Sequence, residues 1–230
     1  MKNPPEKFWA KYDLGLVQQR ITPLDEIDRV VASRGAAELA DEIAAQAITL
    51  VRNDARLIPV NSQARPHVFN LAITNGDDRL WITQPFVAAL TRGGLKVDTI
   101  VLDDRSSDAE LRKAMDNAGK ADCVIVSMYG RVRTGQARSV ALPEPGAKAL
   151  NELRSRPIPL VAISFGNPYL LSSFPWLPTY VVAYGDMPSL QEAAARALLG
   201  QSDIGGRLPI SLPSLYPRGT GIQLKANPNK

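Results

Sequence analysis

The chain has few of the residues that build stapled, metal-bound or membrane-spanning proteins. Its 230 residues include one cysteine and one histidine. A lone thiol closes no internal disulfide, so a disulfide scaffold is excluded. Cys123 lies inside an apolar run and reads as a small buried side chain. Clustered His and Cys ligands are absent, and neither a metal nor a cofactor is expected. No apolar stretch approaches the roughly 20 residues that cross a bilayer, so no membrane partner is expected. The first residues, Met1 to Lys7, lack an apolar core, and no signal peptide is expected. There is no GxGxxG and no GxxxxGK[ST], which removes the usual phosphate cradles. Gly93-Gly94 and Gly205-Gly206 read as turn glycines instead. Net charge is +4, and the basic residues never gather in a run of five. A nucleic-acid binder shows a basic stripe, so no nucleic-acid partner is expected.

What remains is ordinary globular composition, 45% hydrophobic and 22% charged, long enough to bury a core. Residues up to about Ala32 read as a lead-in, with Thr22-Pro23-Leu24-Asp25 as a helix start. A helix is expected over Ala36 to Ala47, where Ala36, Ala40, Ile43, Ala44 and Ala47 repeat at helical spacing. Ile48 to Val51 reads as a short strand and Arg52-Asn53-Asp54 as a turn. From His67 onward short apolar runs alternate with helical patterns. The runs are Val68–Ile73, Val97–Leu102, Cys123–Met128, Leu160–Phe165 and Tyr180–Tyr184. Continuous apolarity marks strands covered on both faces. Ser107-Asp-Ala-Glu110 and Ser189-Leu-Gln-Glu192 read as capping boxes, and Gly200 as the stop of the second helix. Shorter helices are expected before Gly93-Gly94 and around Ala147 to Leu153. The pattern predicts an α/β three-layer sandwich, a mostly parallel, doubly wound sheet of about five or six strands after a helical lead-in. Residues 219–230 are polar and expected to fray.

Ligands of such sheets bind outside the carboxyl ends of the strands. There the sequence places Asn75 to Asp78, then Asp103 to Arg105. Beyond the third run comes a loop from Tyr129 to Leu142 carrying Arg131, Arg133, Thr134 and Arg138. Gly166 to Tyr169 and Gly185-Asp186 follow the last two runs. Ala162-Ile-Ser164-Phe-Gly166 is a loosened nucleophile elbow, but a serine hydrolase of this architecture needs a histidine after its serine. His67 precedes every run from Val68 on, so Ser164 reads as a strand end that satisfies nearby backbone. The paired acids Asp77-Asp78 and Asp103-Asp104 read as solvated loop residues rather than metal ligands. The arginine loop, long and free of acids, is the strongest functional candidate.

Three segments then carry a resemblance. They are Ile43-Ala-Ala-Gln-Ala-Ile-Thr-Leu-Val-Arg52-Asn53-Asp54 with Leu57-Ile-Pro59-Val60; Ser164-Phe-Gly-Asn-Pro-Tyr169; and Ala183-Tyr184-Gly185-Asp186 with Ala193 to Gly200 and Gly206-Arg-Leu-Pro-Ile-Ser-Leu-Pro213. Together they resemble the C-terminal α/β domain of family 3 glycoside hydrolases. Lys11 to Leu16 resembles the end of the preceding barrel domain's last helix. The resemblance implies a lead-in over residues 1–35 from a missing (β/α)8 barrel, the α/β domain over 36–215, and a flexible tail over 216–230. It implies hydrolysis of β-linked sugars with retention, through an aspartate nucleophile on the barrel and a second group as acid and base. A barrel needs about 250 residues, more than the chain holds. No catalytic residue is therefore assigned here, and the chain alone is expected to be inactive.

In the family's β-glucosidase-like branch this domain supplies a glutamate from the loop after the third run, but Gly130 to Leu142 holds no acid. Glu144 just beyond reads as a helix-start residue. An acid-free loop resembles the β-N-acetylhexosaminidase-like branch. The implied partners are the barrel and a carbohydrate. Arg131, Arg133, Thr134, Asn167 and Asp186 are the residues expected to meet the sugar, with Arg131 and Arg133 reaching for an anionic or amide-bearing one, such as a muramyl lactate. The alternative is a stand-alone small-molecule or carbohydrate-binding or regulatory module. Two carboxyl groups about 5 Å apart in one cleft would contradict the helper role.

Overall fold

The computed structural model describes residues 6–21, 23–27, 31, 33–64, 66–132, 134–135 and 141–227. The chain divides into two units, Met1–Ala40 and Asp41–Lys230. In the first, helix α1 (Glu6–Asp13) buries none of its residues. Phe8, Trp9, Leu14 and Leu16 are exposed. Pro23 precedes a 3-10 turn at Leu24–Glu26, while the proposed cap Thr22 lies outside the described residues. Helix α2 (Arg34–Ala47) spans the division between the units.

The second unit is a six-stranded sheet. Its strands are β1 (Thr49–Asn53), β2 (His67–Thr74), β3 (Lys96–Leu102), β4 (Cys123–Tyr129), β5 (Leu160–Ser164) and β6 (Thr179–Val182). They lie in the order β1-β6-β5-β4-β2-β3. All pairings are parallel except β1 with β6. The expected turn at Arg52 and Asn53 is instead the end of β1, where the two residues pair with Tyr180 and Thr179. Arg52 makes that extension possible. Its Nε donates to Tyr216 Oη at 2.8 Å, and its Nη1 donates to the carbonyls of Pro175 and Leu177 at 2.6 and 2.8 Å.

Helices α3 (Gln84–Arg92) and α7 (Pro188–Leu198) cover one face of the sheet. Helices α4 (Asp108–Ala118), α5 (Glu144–Leu153) and the short α6 (Leu170–Ser173) cover the other. Alternate residues of β4 serve the two cores, Ile125 and Tyr129 on the first face and Val124, Val126 and Met128 on the second. This is why the strand is apolar throughout. The polar exceptions on the first face pair with each other: Ser127 Oγ donates to Asn70 Oδ1 at 2.8 Å. Cys123 is buried, and burial pushes its thiol up to about 11, which leaves it without thiolate character at neutral pH.

The capping box at Ser107 and Glu110 forms as expected. The one at Ser189 does not. Helix α7 begins two residues earlier, with Pro188 in its first turn and Met187 as an uncapped N-cap, because proline's fixed φ favours the first helical position. Gly200 takes φ +68 just after the helix, the left-handed stop that glycine adopts without strain. The tail is also not frayed through residue 227. Ile222 N–H donates to Leu50 C=O at 2.8 Å, Leu224 exchanges both backbone bonds with Ile204, and Asn227 N–H donates to Gly200 C=O. Leu224, apolar within a polar segment, packs against the core and gives the tail something to dock.

Past β3, Asp103 is only 2% exposed. Burial pushes its carboxyl up, but hydrogen bonds from the Arg105 side chain and backbone, together with the charge of Arg79, outweigh this and hold it below its ordinary value. A depressed folded-state value means stability that is fully present above the unfolded value of 3.8 and lost as pH falls through the folded one. Asp103→Asn should cost about 1–3 kcal/mol at neutral pH. Denaturant unfolding from about pH 5 down to about pH 2 should show this gap closing as the wild type loses its advantage.

Candidate functional site

Four parallel strands end beside one another and send their following segments to the same edge. After β2 comes Asn75 to Asp78, after β4 Gly130 to Val132, after β5 Phe165 to Tyr169, and after β6 Ala183 to Asp186. A pocket of about 630 Å³ opens among the last three. It is lined by Gly130, Phe165, Pro168, Tyr169 and Tyr184, together with Arg131, Asn167 and Asp186. A pocket of this size fits a small-molecule ligand. Its floor depends on close backbone approach: a Cβ on Gly166 would lie 2.6 Å from the carbonyl oxygen of Gly130, so only glycine fits there. Tyr184 holds φ +64, a conformation that costs a non-glycine residue about 1–3 kcal/mol. Its hydroxyl donates to Thr49 Oγ1 at 2.9 Å, which anchors the ring.

Arg131 is the centre of the edge. Its Nη2 donates to Asp78 Oδ2 at 2.6 Å and its Nε to Asp186 Oδ2 at 2.5 Å. Its backbone is clamped too. Asn75 Nδ2 donates to Arg131 C=O at 2.8 Å, and Arg131 N–H donates to Asn75 Oδ1 at 3.1 Å. One side chain thus ties together the segments after β2, β4 and β6. Burial alone would lower the Arg131 guanidinium's value, but the hydrogen bonds and charges of Asp78 and Asp186 raise it above the ordinary one. Gln191 of α7, 2% exposed, supports the same segment from behind. Its Nε2 donates to Asp186 C=O at 2.7 Å, and its Oε1 accepts from Phe86 N–H at 3.2 Å and from Tyr129 Oη at 3.4 Å.

The structure therefore brings together Arg131, Asn167 and Asp186 of the five expected sugar-contacting residues. Thr134 is exposed in a turn and does not line the pocket. Arg133 and Arg138 lie outside the described residues. Asp78, read as a solvated acid, instead has a partly buried side chain that engages Arg131. Its only signal in the sequence was an acid at a strand's carboxyl end opposite an arginine-rich loop. Gln191 carried no signal beyond its place in a helix start. Glu144 stands in the first turn of α5 and lines a different, polar cavity with Asp104 and Lys148. Ser164 donates to the Asn167 carbonyl at 2.8 Å, the strand-end role expected of it. His67 begins β2 at the opposite edge, with Nε2 2.7 Å from Asp98 Oδ2. No cluster of three metal-binding side chains occurs among the described residues.

These features define an α/β sandwich domain with a ligand-sized pocket at the carboxyl edge of its sheet. No protein-family profile matches the chain. Over 208 residues, 87% of its length, it is 27% identical to a β-N-acetylglucosaminidase/β-glucosidase of Cellulomonas fimi, and it spans 36% of that enzyme. A family 3 β-N-acetylglucosaminidase from Paenibacillus sp. str. FPU-7 superposes with a TM-score of 0.62 at 19% identity, covering 87% of this chain and 42% of that one. A β-glucosidase from Listeria innocua in complex with isofagomine superposes with a TM-score of 0.65 at 17% identity, covering 90% and 31%. At such identities the solved structures establish the fold. The chain is similar, in sequence and in fold, to the C-terminal α/β domain of family 3 glycoside hydrolases.

Removing the guanidinium would leave Asp78 and Asp186 facing each other without a cation. Arg131→Met should destabilise the domain by about 1–3 kcal/mol. The triple variant Arg131→Met/Asp78→Asn/Asp186→Asn should recover part of that loss, because the like charges go with it. Urea unfolding of wild type and the two variants measures both effects; a triple variant no more stable than Arg131→Met would contradict the coupling.

Proposed function

We propose that this chain is the accessory α/β domain of a glycoside hydrolase acting on β-linked sugars, packed on a catalytic (β/α)8 barrel and forming one wall of its sugar site. The observation that carries this reading is the distribution of exposed apolar side chains. Of the seven large apolar side chains exposed among the described residues of the second unit, five (Leu80, Trp81, Val132, Tyr169 and Met187) follow the carboxyl ends of parallel strands, at the edge that holds the pocket; Ile43 and Ile222 are the other two. Contiguous exposed apolar surface marks a contact site. The chain also spans only about a third of the enzymes it resembles, which leaves room in them for a separate catalytic domain.

The domain supplies no hydrolytic pair in this reading. Asp78 and Asp186 converge, but both oxygens that point at Arg131 accept hydrogen bonds from it. Carboxyls used as acceptors toward one guanidinium are not poised as a nucleophile and a proton donor. The described part of the loop after β4 carries no acid, and the full sequence from Gly130 to Leu142 has none. That absence supports the β-N-acetylhexosaminidase-like branch over the branch whose second domain donates a glutamate.

Since the walls of the pocket all come from this chain, a self-sufficient carbohydrate-binding module is the second reading. A chromogenic β-N-acetylglucosaminide and the matching β-glucoside should both remain uncleaved by this chain alone; turnover of either overturns the helper role. In the full-length enzyme, Trp81→Asp should loosen the two domains, seen as separate unfolding transitions by calorimetry. A single unchanged transition counts against the rim as the docking face.

A further inference from the structure

We propose that Asp78 and Asp186 act as a charge mask on Arg131, so that the pocket excludes anionic sugars and accepts neutral, hydroxylated rings. This rests on the reading of the pocket as a sugar wall, and it reverses the expectation that the arginine captures a carboxylate. A ligand carboxylate binds arginine best through two adjacent N–H groups in a planar fork. Here Nε is held by Asp186 at 2.5 Å and Nη2 by Asp78 at 2.6 Å, which occupies that fork from within the protein.

The charge balance points the same way. One guanidinium faces two carboxylates, so this cluster carries a net charge of −1 where a ligand enters. Asp186 itself lines the pocket. Arg131 lines the pocket too, so an anionic group brought there faces a carboxylate beside the cation, and like-charge juxtaposition disfavours binding. The remaining walls suit an uncharged ring. Tyr169, Tyr184, Phe165 and Pro168 offer apolar faces, and a sugar's C–H face packs on such surfaces while its hydroxyls donate to carboxylate and backbone oxygens at the rim. The backbones that carry the mask are held in place: Gln191 bonds the Asp186 carbonyl, and Asn75 bonds the Arg131 carbonyl and amide.

The test uses the whole chain and two probes that differ only at C6, methyl β-D-glucopyranoside with a hydroxymethyl group and methyl β-D-glucuronide with a carboxylate. Binding is followed by NMR shifts of the Gly130, Gly166 and Gly185 amides. The wild type should bind the glucoside at least about tenfold more tightly than the glucuronide. Asp78→Asn/Asp186→Asn should raise glucuronide affinity about tenfold, and adding Arg131→Met should abolish that gain. If the double variant unfolds, the single Asp186→Asn carries the same test with a smaller gain. Equal binding of both probes by the wild type overturns the proposal, as does a folded variant that gains nothing for the glucuronide. Should the wild type bind neither probe, the sugar-wall reading fails. The mask is then judged on the variants alone: a glucuronide gain that depends on Arg131 upholds it, and its absence refutes it.

Discussion

A parallel strand can be joined to its neighbour only by carrying the chain back along the outside of the sheet, so each crossover leaves one strand's carboxyl end and returns to the next strand's amino end. In this protein β2 to β6 all run one way. Every segment leaving a strand therefore starts from the same edge. That constraint gathers Asp78, Arg131, Asn167 and Asp186 from four widely separated stretches of sequence. It also separates roles. The central strands β4 and β5 are buried throughout, and the polar Ser127 among them is satisfied by Asn70 of β2. Reactive and ligand-facing side chains are displaced to the rim.

On that rim the interactions form a chain of support rather than a catalytic set. Gln191 fixes the segment of Asp186, Asp186 and Asp78 fix the guanidinium of Arg131, and Asn75 fixes its backbone. The strained Tyr184 and the glycine contact between Gly166 and Gly130 shape the cavity beside them. Strain of this kind persists only where surrounding contacts over-determine it. Here the Tyr184 hydroxyl, held by Thr49 of β1, is one such contact. The picture is of a supported wall that presents a shaped surface at the carboxyl edge of the sheet.

Much of this was legible from local pattern. Five apolar runs gave β2 to β6 nearly to the residue, since a strand covered on both faces must be apolar throughout. Ser107 and Glu110 announced α4, because a capping box is closed within four residues. The misreadings share a different physics. Arg52 and Asn53 looked like a turn and became strand through partners more than a hundred residues away. Ser189 looked like a cap, yet Pro188 set the helix start. The polar tail looked loose, yet its backbone found Ile204 and Leu50. Most telling is Arg131, which the sequence presents on an acid-free loop as a free cation. Its two anions come from other strands, and no spacing rule reports a neutralising partner 53 or 55 residues distant.

The docking of the tail has a further consequence for how the open sheet meets other chains. An open sheet leaves unpaired backbone at both margins, and such margins template self-association. At the β1 side, Ile222 occupies the Leu50 carbonyl that an incoming strand would use. At the β3 side, Lys96 and Asp98 stand exposed on the last strand and make pairing with a second copy unfavourable. With one margin plugged and the other charged, the domain is protected against fibrillar stacking even while its apolar rim is uncovered.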